Sequence, residues 1–179
     1  MTHERFFVLT GGPGSGKSSL IDVLASAGYG RTIEAGRAII QQQLAIDGPA
    51  LPHKDPAAFA EMMLGWEMRS YHEASALPGI VFFDRGVPDI EGYLRLMQRP
   101  VPPHVSNAIQ RYRYNRRVFI APPWSEIFAQ DAERKQTFDE AVRTYESLAQ
   151  TYRNHDYELL TLPLAPVAAR VRFMLDRLG

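Results

Sequence analysis

Cysteine is absent from the 179 residues. That excludes disulfides, thiolate metal sites and thiol nucleophiles, and it fits a reducing compartment. An excess of either charge is also absent, because 20 Lys plus Arg balance 20 Asp plus Glu. No global electrostatic case remains for a nucleic-acid or acidic-membrane partner, although local basic patches stay open. No run approaches the ~18 apolar residues of a membrane helix. The opening Met1 to Arg5 leads into only a short apolar stretch, Phe6 to Thr10. This falls short of the about 7–15 residues of a signal-peptide core, so a cytoplasmic protein is expected. The five histidines follow no metal-ligand spacing, and no G-x-S-x-G elbow occurs. No repeat, low-complexity tract or linker divides the chain.

What is present is a globular composition, 45% hydrophobic and 22% charged. The length predicts one domain over residues 1–179. Apolar runs bounded by turn residues predict buried strands at Phe6 to Thr10, Ile80 to Phe83 and Val118 to Ala121. Shorter strands are expected at Thr32–Glu34 and Glu158–Leu160. Between them, helical spacing predicts helices over Lys17–Ala27, Ala38–Ile46 (Ile39, Ile40 and Leu44 inward), Asp55–Ala76, Pro88–Met97, His104–Tyr112, Ser125–Tyr152 and Ala165–Leu178. On Asp55–Ala76 the apolar side is expected to carry Phe59, Met62, Met63, Trp66 and Arg69. Strands alternating with helices predict an α/β fold with a mainly parallel sheet covered on both faces.

One motif carries the chemistry. Gly11-Gly12-Pro13-Gly14-Ser15-Gly16-Lys17-Ser18 fits G-x-x-x-x-G-K-[ST], and it lies between a strand and a helix. Glycines let the backbone curl its N–H groups inward, the helix start adds its positive end, and Lys17 can reach the β- and γ-phosphates. The Ser18 hydroxyl is placed to ligate Mg²⁺. Gly11, Gly12, Gly14, Ser15, Gly16, Lys17, Ser18 and Ser19 are therefore the expected triphosphate-binding residues, with Lys17 also catalytic. Asp84 ends the Ile80–Phe83 strand, at the edge where open α/β sheets bind ligands, and can hold Mg²⁺ through water. Where a water-attacking ATPase carries a glutamate next, this chain carries Arg85, which cannot act as a base but can hold an acceptor or phosphate. That favours transfer to a bound acceptor over hydrolysis.

The loop, Glu34-Ala35-Gly36-Arg37, Phe82 to Asp89, and Val118 to Trp124 followed by Asp131 to Arg134 together resemble the small bacterial "predicted ATPase" P-loop proteins of the AAA-labelled family. That family is related to the ribosylnicotinamide kinase domain and, more distantly, to nucleoside and nucleotide kinases. The resemblance spans nearly the whole chain. It implies a five-stranded parallel sheet in the order 2-3-1-4-5 and a helical lid at about residues 125–152. Carried over by position, Glu34 is an acceptor-binding residue or general base, and Asp84 is the other base or the Mg²⁺ partner. Arg37 and Arg85 orient the acceptor, and Arg134, with Lys135, is the lid cation on the migrating phosphoryl group. Plain structural readings stand beside these: an Asp84–Arg85 ion pair or cap, a local Glu34–Arg37 bridge, and solvated charges around Arg134.

The expected activity is ATP·Mg²⁺-dependent phosphoryl transfer to a small nucleoside-like molecule. A slow ATPase or a nucleotide switch working through a protein partner is the alternative. ATP is preferred over GTP because no Asn-Lys-x-Asp segment occurs. Arg111 to Arg117 mixes four arginines with two tyrosines, which reads either as a nucleic-acid patch or as tyrosines packed on the core with arginines in water; the second reading is preferred. Trp124 either walls the site or packs.

Overall fold

The computed structural model describes residues 2–128 and 136–178. Five parallel strands, β1 (Phe6–Gly11), β2 (Gly30–Arg31), β3 (Val81–Asp84), β4 (Arg117–Ala121) and β5 (Glu158–Thr161), form a sheet in the order β2-β3-β1-β4-β5. This is the expected 2-3-1-4-5 arrangement. Among the described residues the helices are α1 (Lys17–Ser26), α2 (Ala35–Ala45), α3 (Pro56–Ser75), α4 (Val87–Leu96), α5 (Pro103–Arg111), α6 (Phe138–Asn154) and α7 (Val167–Leu175).

Successive side chains of a strand point to opposite faces, so a strand that is apolar throughout needs cover on both. In β1, Phe6 and Val8 join Phe83, Ile90 and Tyr152 in one core, while Phe7 and Leu9 join Leu20, Leu24, Phe119 and Met174 in the other. Burying each such side chain stabilises the fold by about 1.5–3 kcal/mol relative to exposure. α1 and α7 cover one face, and α3 to α6 the other. The register pairs Leu9 with Asp84 and Gly11 with Ala121. The glycine loop, Asp84 and the Pro122–Trp124 segment thus leave the sheet at the same edge.

Three expected elements differ. β2 is Gly30–Arg31 and not Thr32–Glu34. Thr32 still donates its N–H to the Phe82 carbonyl (3.0 Å), but the chain then turns, leaving Ile33 exposed and Glu34 as the N-cap of α2. α2 therefore begins three residues earlier than expected. Its inward stripe is Ala35, Ile39 and Gln43. Gln43 takes the inner place because its side-chain carbonyl accepts the Ala50 N–H (3.0 Å), and Leu44 lies exposed. Of the helix expected over Ser125–Tyr152, the described part is α6 from Phe138, residues 125–127 forming a turn and residues 129–135 lying outside the described residues. Thr137 and Glu140 make a reciprocal capping box there, Thr137 N–H donating to Glu140 (2.6 Å) and Glu140 N–H to Thr137 Oγ1 (3.2 Å). By contrast Asp55 caps α3 as expected, accepting the Ala58 N–H (3.0 Å). Arg69 is exposed beside Glu73 and takes no part in the apolar face of α3.

Candidate active site

The loop after β1 is shaped by close approaches. Gly16 is the N-cap of α1 with φ 80°, a left-handed conformation that suits glycine. A Cβ on Gly12 would fall 2.4 Å from the Ala141 carbonyl oxygen, so this loop is wedged against α6. Lys17, 7% exposed, folds its Nζ back to the Gly12 carbonyl (2.9 Å), the Gly11 carbonyl (3.2 Å) and Ser15 Oγ (3.3 Å). Burial, helped by the Arg85 charge, pushes its ammonium down to about 8. Ser18 and Ser19 stand exposed on the first turn of α1.

Across from the loop, Asp84 is 5% exposed and its Oδ1 has no hydrogen-bond partner. Burial and then the Glu34 charge raise its carboxyl to about 6. Arg85 has φ 73°, a conformation that a bulky residue adopts at a cost. Its N–H donates to the Leu9 carbonyl (3.1 Å). Its Nε donates to Glu34 (3.2 Å), and its Nη1 to the Gly11 carbonyl (3.1 Å) and to Asp89 (3.2 Å). Burial opposes the guanidinium charge, but Glu34, Asp89 and Asp84 outweigh it and hold its pKa above the ordinary arginine value. Glu34, Asp84, Arg85 and Lys17 are therefore brought together. Glu34 bridges to Arg85, as one of the plain structural readings anticipated for Arg85 itself, though with a different partner. Arg37 lies exposed on α2 and lines the same cleft as Ser18, Glu34 and Asp84, a space of about 320 Å³. Arg134 and Lys135 lie outside the described residues.

Three residues of this neighbourhood carry no role in the sequence reading. Asp89 accepts hydrogen bonds from Thr10 Oγ1 (2.6 Å), Tyr152 OH (2.5 Å), the Gly86 N–H (3.1 Å) and Arg85. Its signal is the Gly-Val-Pro-Asp helix start, with an acid at the third helical position. Arg170 on α7 is 2% exposed; its Nη2 donates to the Ser15 carbonyl (3.0 Å), and burial lowers its pKa. Glu67 is 2% exposed on α3, with Oε2 unpartnered. Its signal is a charge on the buried stripe of Ala60, Leu64 and Ala74. Burial, then the Asp89 and Asp84 charges, hold the Glu67 carboxyl well above the usual range, which favours its neutral form.

That neutrality predicts a pH dependence. The stability supplied by protonated Glu67 is fully present below the unfolded value of about 4.5 and is lost as pH rises toward the raised folded value. Glu67→Gln cannot ionise. In urea unfolding its stability relative to wild type should increase from pH 4.5 upward, whereas parallel pH curves would show that Glu67 is charged in place.

A second space of about 280 Å³ lies on the other side of the loop, lined by Gly16, Ser19, Trp124, Ile127, Pro166 and Arg170, among others. Trp124 thus walls a cavity, with its ring 5.9 Å from the Arg170 guanidinium. The Arg111–Arg117 tract goes elsewhere. Tyr114 is buried, Arg113 donates to the His155 carbonyl (3.0 Å) and covers the Tyr157 ring, and Arg117 donates to the Arg177 carbonyl (2.8 Å). Phe59 is core, with Met62, Met63 and Trp66 packed beside it. Among the described residues no group of three His, Cys, Asp or Glu side chains is placed to hold a metal ion, and no helix is long and apolar enough to cross a membrane.

Sheet order, glycine loop and buried lysine define an α/β fold of the P-loop type. A family model described as an AAA domain matches residues 6–170, and the chain belongs to that family. NadR protein, crystallised in complex with NR, superposes with a TM-score of 0.73 at 16% identity, over 97% of this chain and 49% of that one. The chain thus spans about half the length of NadR. Deoxyadenosine kinase from M. mycoides, solved with dCMP and dCDP, gives a TM-score of 0.65 at 13% identity over 97% and 98% of the two chains. Thymidylate kinase from Ehrlichia chaffeensis gives 0.63 at 13% over 97% of each. At these identities the likeness is one of fold. No curated protein matches the chain in sequence.

Proposed function

We propose that this chain is an ATP·Mg²⁺-dependent kinase that transfers the γ-phosphoryl group to a small nucleoside-like molecule. The observation that carries this reading is the cleft beside Ser18, where buried Asp84 keeps an unpartnered oxygen and Glu34 is oriented by Arg85. A kinase needs an acceptor pocket at that edge of the sheet, and a hydrolase needs only water there. The similarity of fold to deoxyadenosine kinase and thymidylate kinase supports the same reading.

In this reading the loop N–H groups and Lys17 take the triphosphate, whose oxygens replace the Gly11 and Gly12 carbonyls as partners of Nζ. The base lies in the space walled by Trp124, Pro166 and Arg170. Hard oxygen donors suit Mg²⁺, and the Ser18 hydroxyl with the free oxygen of Asp84 is such a set. Bound there, the ion would neutralise charge on the β- and γ-phosphates. Glu34, the more accessible carboxylate, takes the acceptor proton, Arg85 fixes Glu34, and Arg37 stands at the acceptor's outer side. The segment around residues 125–152, with Arg134, is the proposed lid.

The test is ATP consumption by the full chain with Mg²⁺, alone and with a panel of nucleosides and vitamins. Stimulation by one compound is expected. Slow turnover indifferent to every compound would overturn the kinase reading in favour of a switch acting through a protein. The pH profile supplies a second check. Asp84 must be ionised and Lys17 protonated, so kcat/KM for ATP should rise through about 6 and fall through about 8. Asp84→Asn should abolish the acid limb, and a profile flat from pH 5 to 9 would contradict both roles.

A further inference from the structure

The acceptor side of the loop is acidic at the point where an attacking atom must arrive. Asp84 lines the cleft with its Oδ1 buried and unpartnered, and Glu34 and Ser18 line it with Asp84. The nearby cation Arg85 aims Nε at Glu34 and Nη1 at Asp89 and the Gly11 carbonyl. Farther out, Arg31 is paired with Asp22. An atom approaching a γ-phosphate held over Lys17 and Ser18 therefore meets two carboxylates, while Arg85 and Arg31 are turned toward the protein's own acids and Arg37, also lining the cleft, is exposed on α2.

We infer that the acceptor offers a hydroxyl group and carries no phosphate at its reacting end: it is a nucleoside-like alcohol, neutral or cationic, and not a nucleoside monophosphate. The inference rests on the kinase reading and narrows it. A hydroxyl is a weak nucleophile until a positioned base takes its proton. A phosphate monoester oxygen is already anionic and needs no base. It would also bring about two negative charges against the Glu34 carboxylate, the acid of this pair that is not given to Mg²⁺, and such like-charge contacts are a means of rejecting wrong ligands. In the step itself the acceptor oxygen bonds to the γ-phosphorus as the bond from that phosphorus to the β-bridging oxygen breaks. ADP leaves with the bonding pair, and the hydroxyl proton passes to the Glu34 carboxylate. The products are ADP, a phosphate monoester and a proton.

The experiment is isothermal titration of the full chain, loaded with Mg²⁺ and AMP-PNP, using three pairs: ribosylnicotinamide, deoxyadenosine and thymidine, each against its own 5′-monophosphate. At least one nucleoside should bind about 100-fold more tightly than its monophosphate. In Glu34→Gln that ratio should narrow by about tenfold, since the repelling charge is gone. A monophosphate that binds as tightly as its nucleoside, or more tightly, overturns the inference and leaves the kinase reading standing. A ratio unchanged in Glu34→Gln overturns the assignment to this carboxylate. No binding by any of the six, with ATP turnover indifferent to all of them, sinks the inference together with the kinase reading beneath it.

Discussion

Arg85→Ala is expected to destabilise the protein by about 3 kcal/mol, the lower end of the cost of removing one partner from a buried ion pair. The guanidinium is 17% exposed and bridges Glu34, Asp89 and the Gly11 carbonyl. Its loss removes the guanidinium that Glu34 and Asp89 share beside Asp84. The cost stays at the lower end because Asp89 keeps Thr10, Tyr152 and the Gly86 N–H, and Glu34 keeps part of its surface in water. The backbone adds a separable term. At φ 73° alanine is as strained as arginine, so Arg85→Gly should be milder than Arg85→Ala by about 1 kcal/mol. Urea unfolding of the two variants checks this, and equal stabilities would show that position 85 carries no strain. Transfer should fall by about 10²–10³-fold in both variants, since Glu34 loses the group that orients it. AMP-PNP affinity, measured by titration, should change far less.

Lys17→Ala is expected to abolish nucleotide binding while leaving the fold intact. The ammonium sits inside the loop against the carbonyls of Gly11 and Gly12, in a place where burial, helped by the Arg85 charge, pushes its pKa down to about 8. In the proposed function this charge, hydrogen-bonded to carbonyls and Ser15 Oγ, is the one that takes the triphosphate. Its removal should weaken ATP by at least about 10²–10³-fold, the range seen when one preorganised group is taken from a phosphate- or oxyanion-binding site. It should not lower the unfolding midpoint, because the burial that opposes the charge disappears with it. Titration showing unchanged ATP affinity in Lys17→Ala would refute the cradle, and every role assigned around it would need another basis.

The strand, loop and helix from Phe6 to Ser26 are legible in the sequence because local signals agree there: an apolar run, glycines, then helical spacing. Ile80 to Arg85 and Val118 to Trp124 are legible for the same reason, and with them the edge of the sheet where the cleft opens. Elsewhere the deciding contact is distant in sequence. Leu44 faces water because Gln43 has an inward partner, the Ala50 N–H, that no periodicity announces. Arg170 reaches Ser15 across 155 positions, and Asp89 reaches Tyr152 across 63. Two misses were avoidable. Thr137-Phe138-Asp139-Glu140 is a capping box in plain text, and Glu67 interrupts an apolar stripe.

The loop near the start of the chain leans on β4 at Ala121, on α6 at Ala141 and on Arg170 of α7. During synthesis, a nascent chain that has emerged only as far as α5 already contains every residue of the glycine motif. It still lacks the walls and the tether that give the motif its shape. The loop therefore takes its full shape only once α6 and α7 have been made, Arg170 of α7 lying 155 residues beyond Ser15.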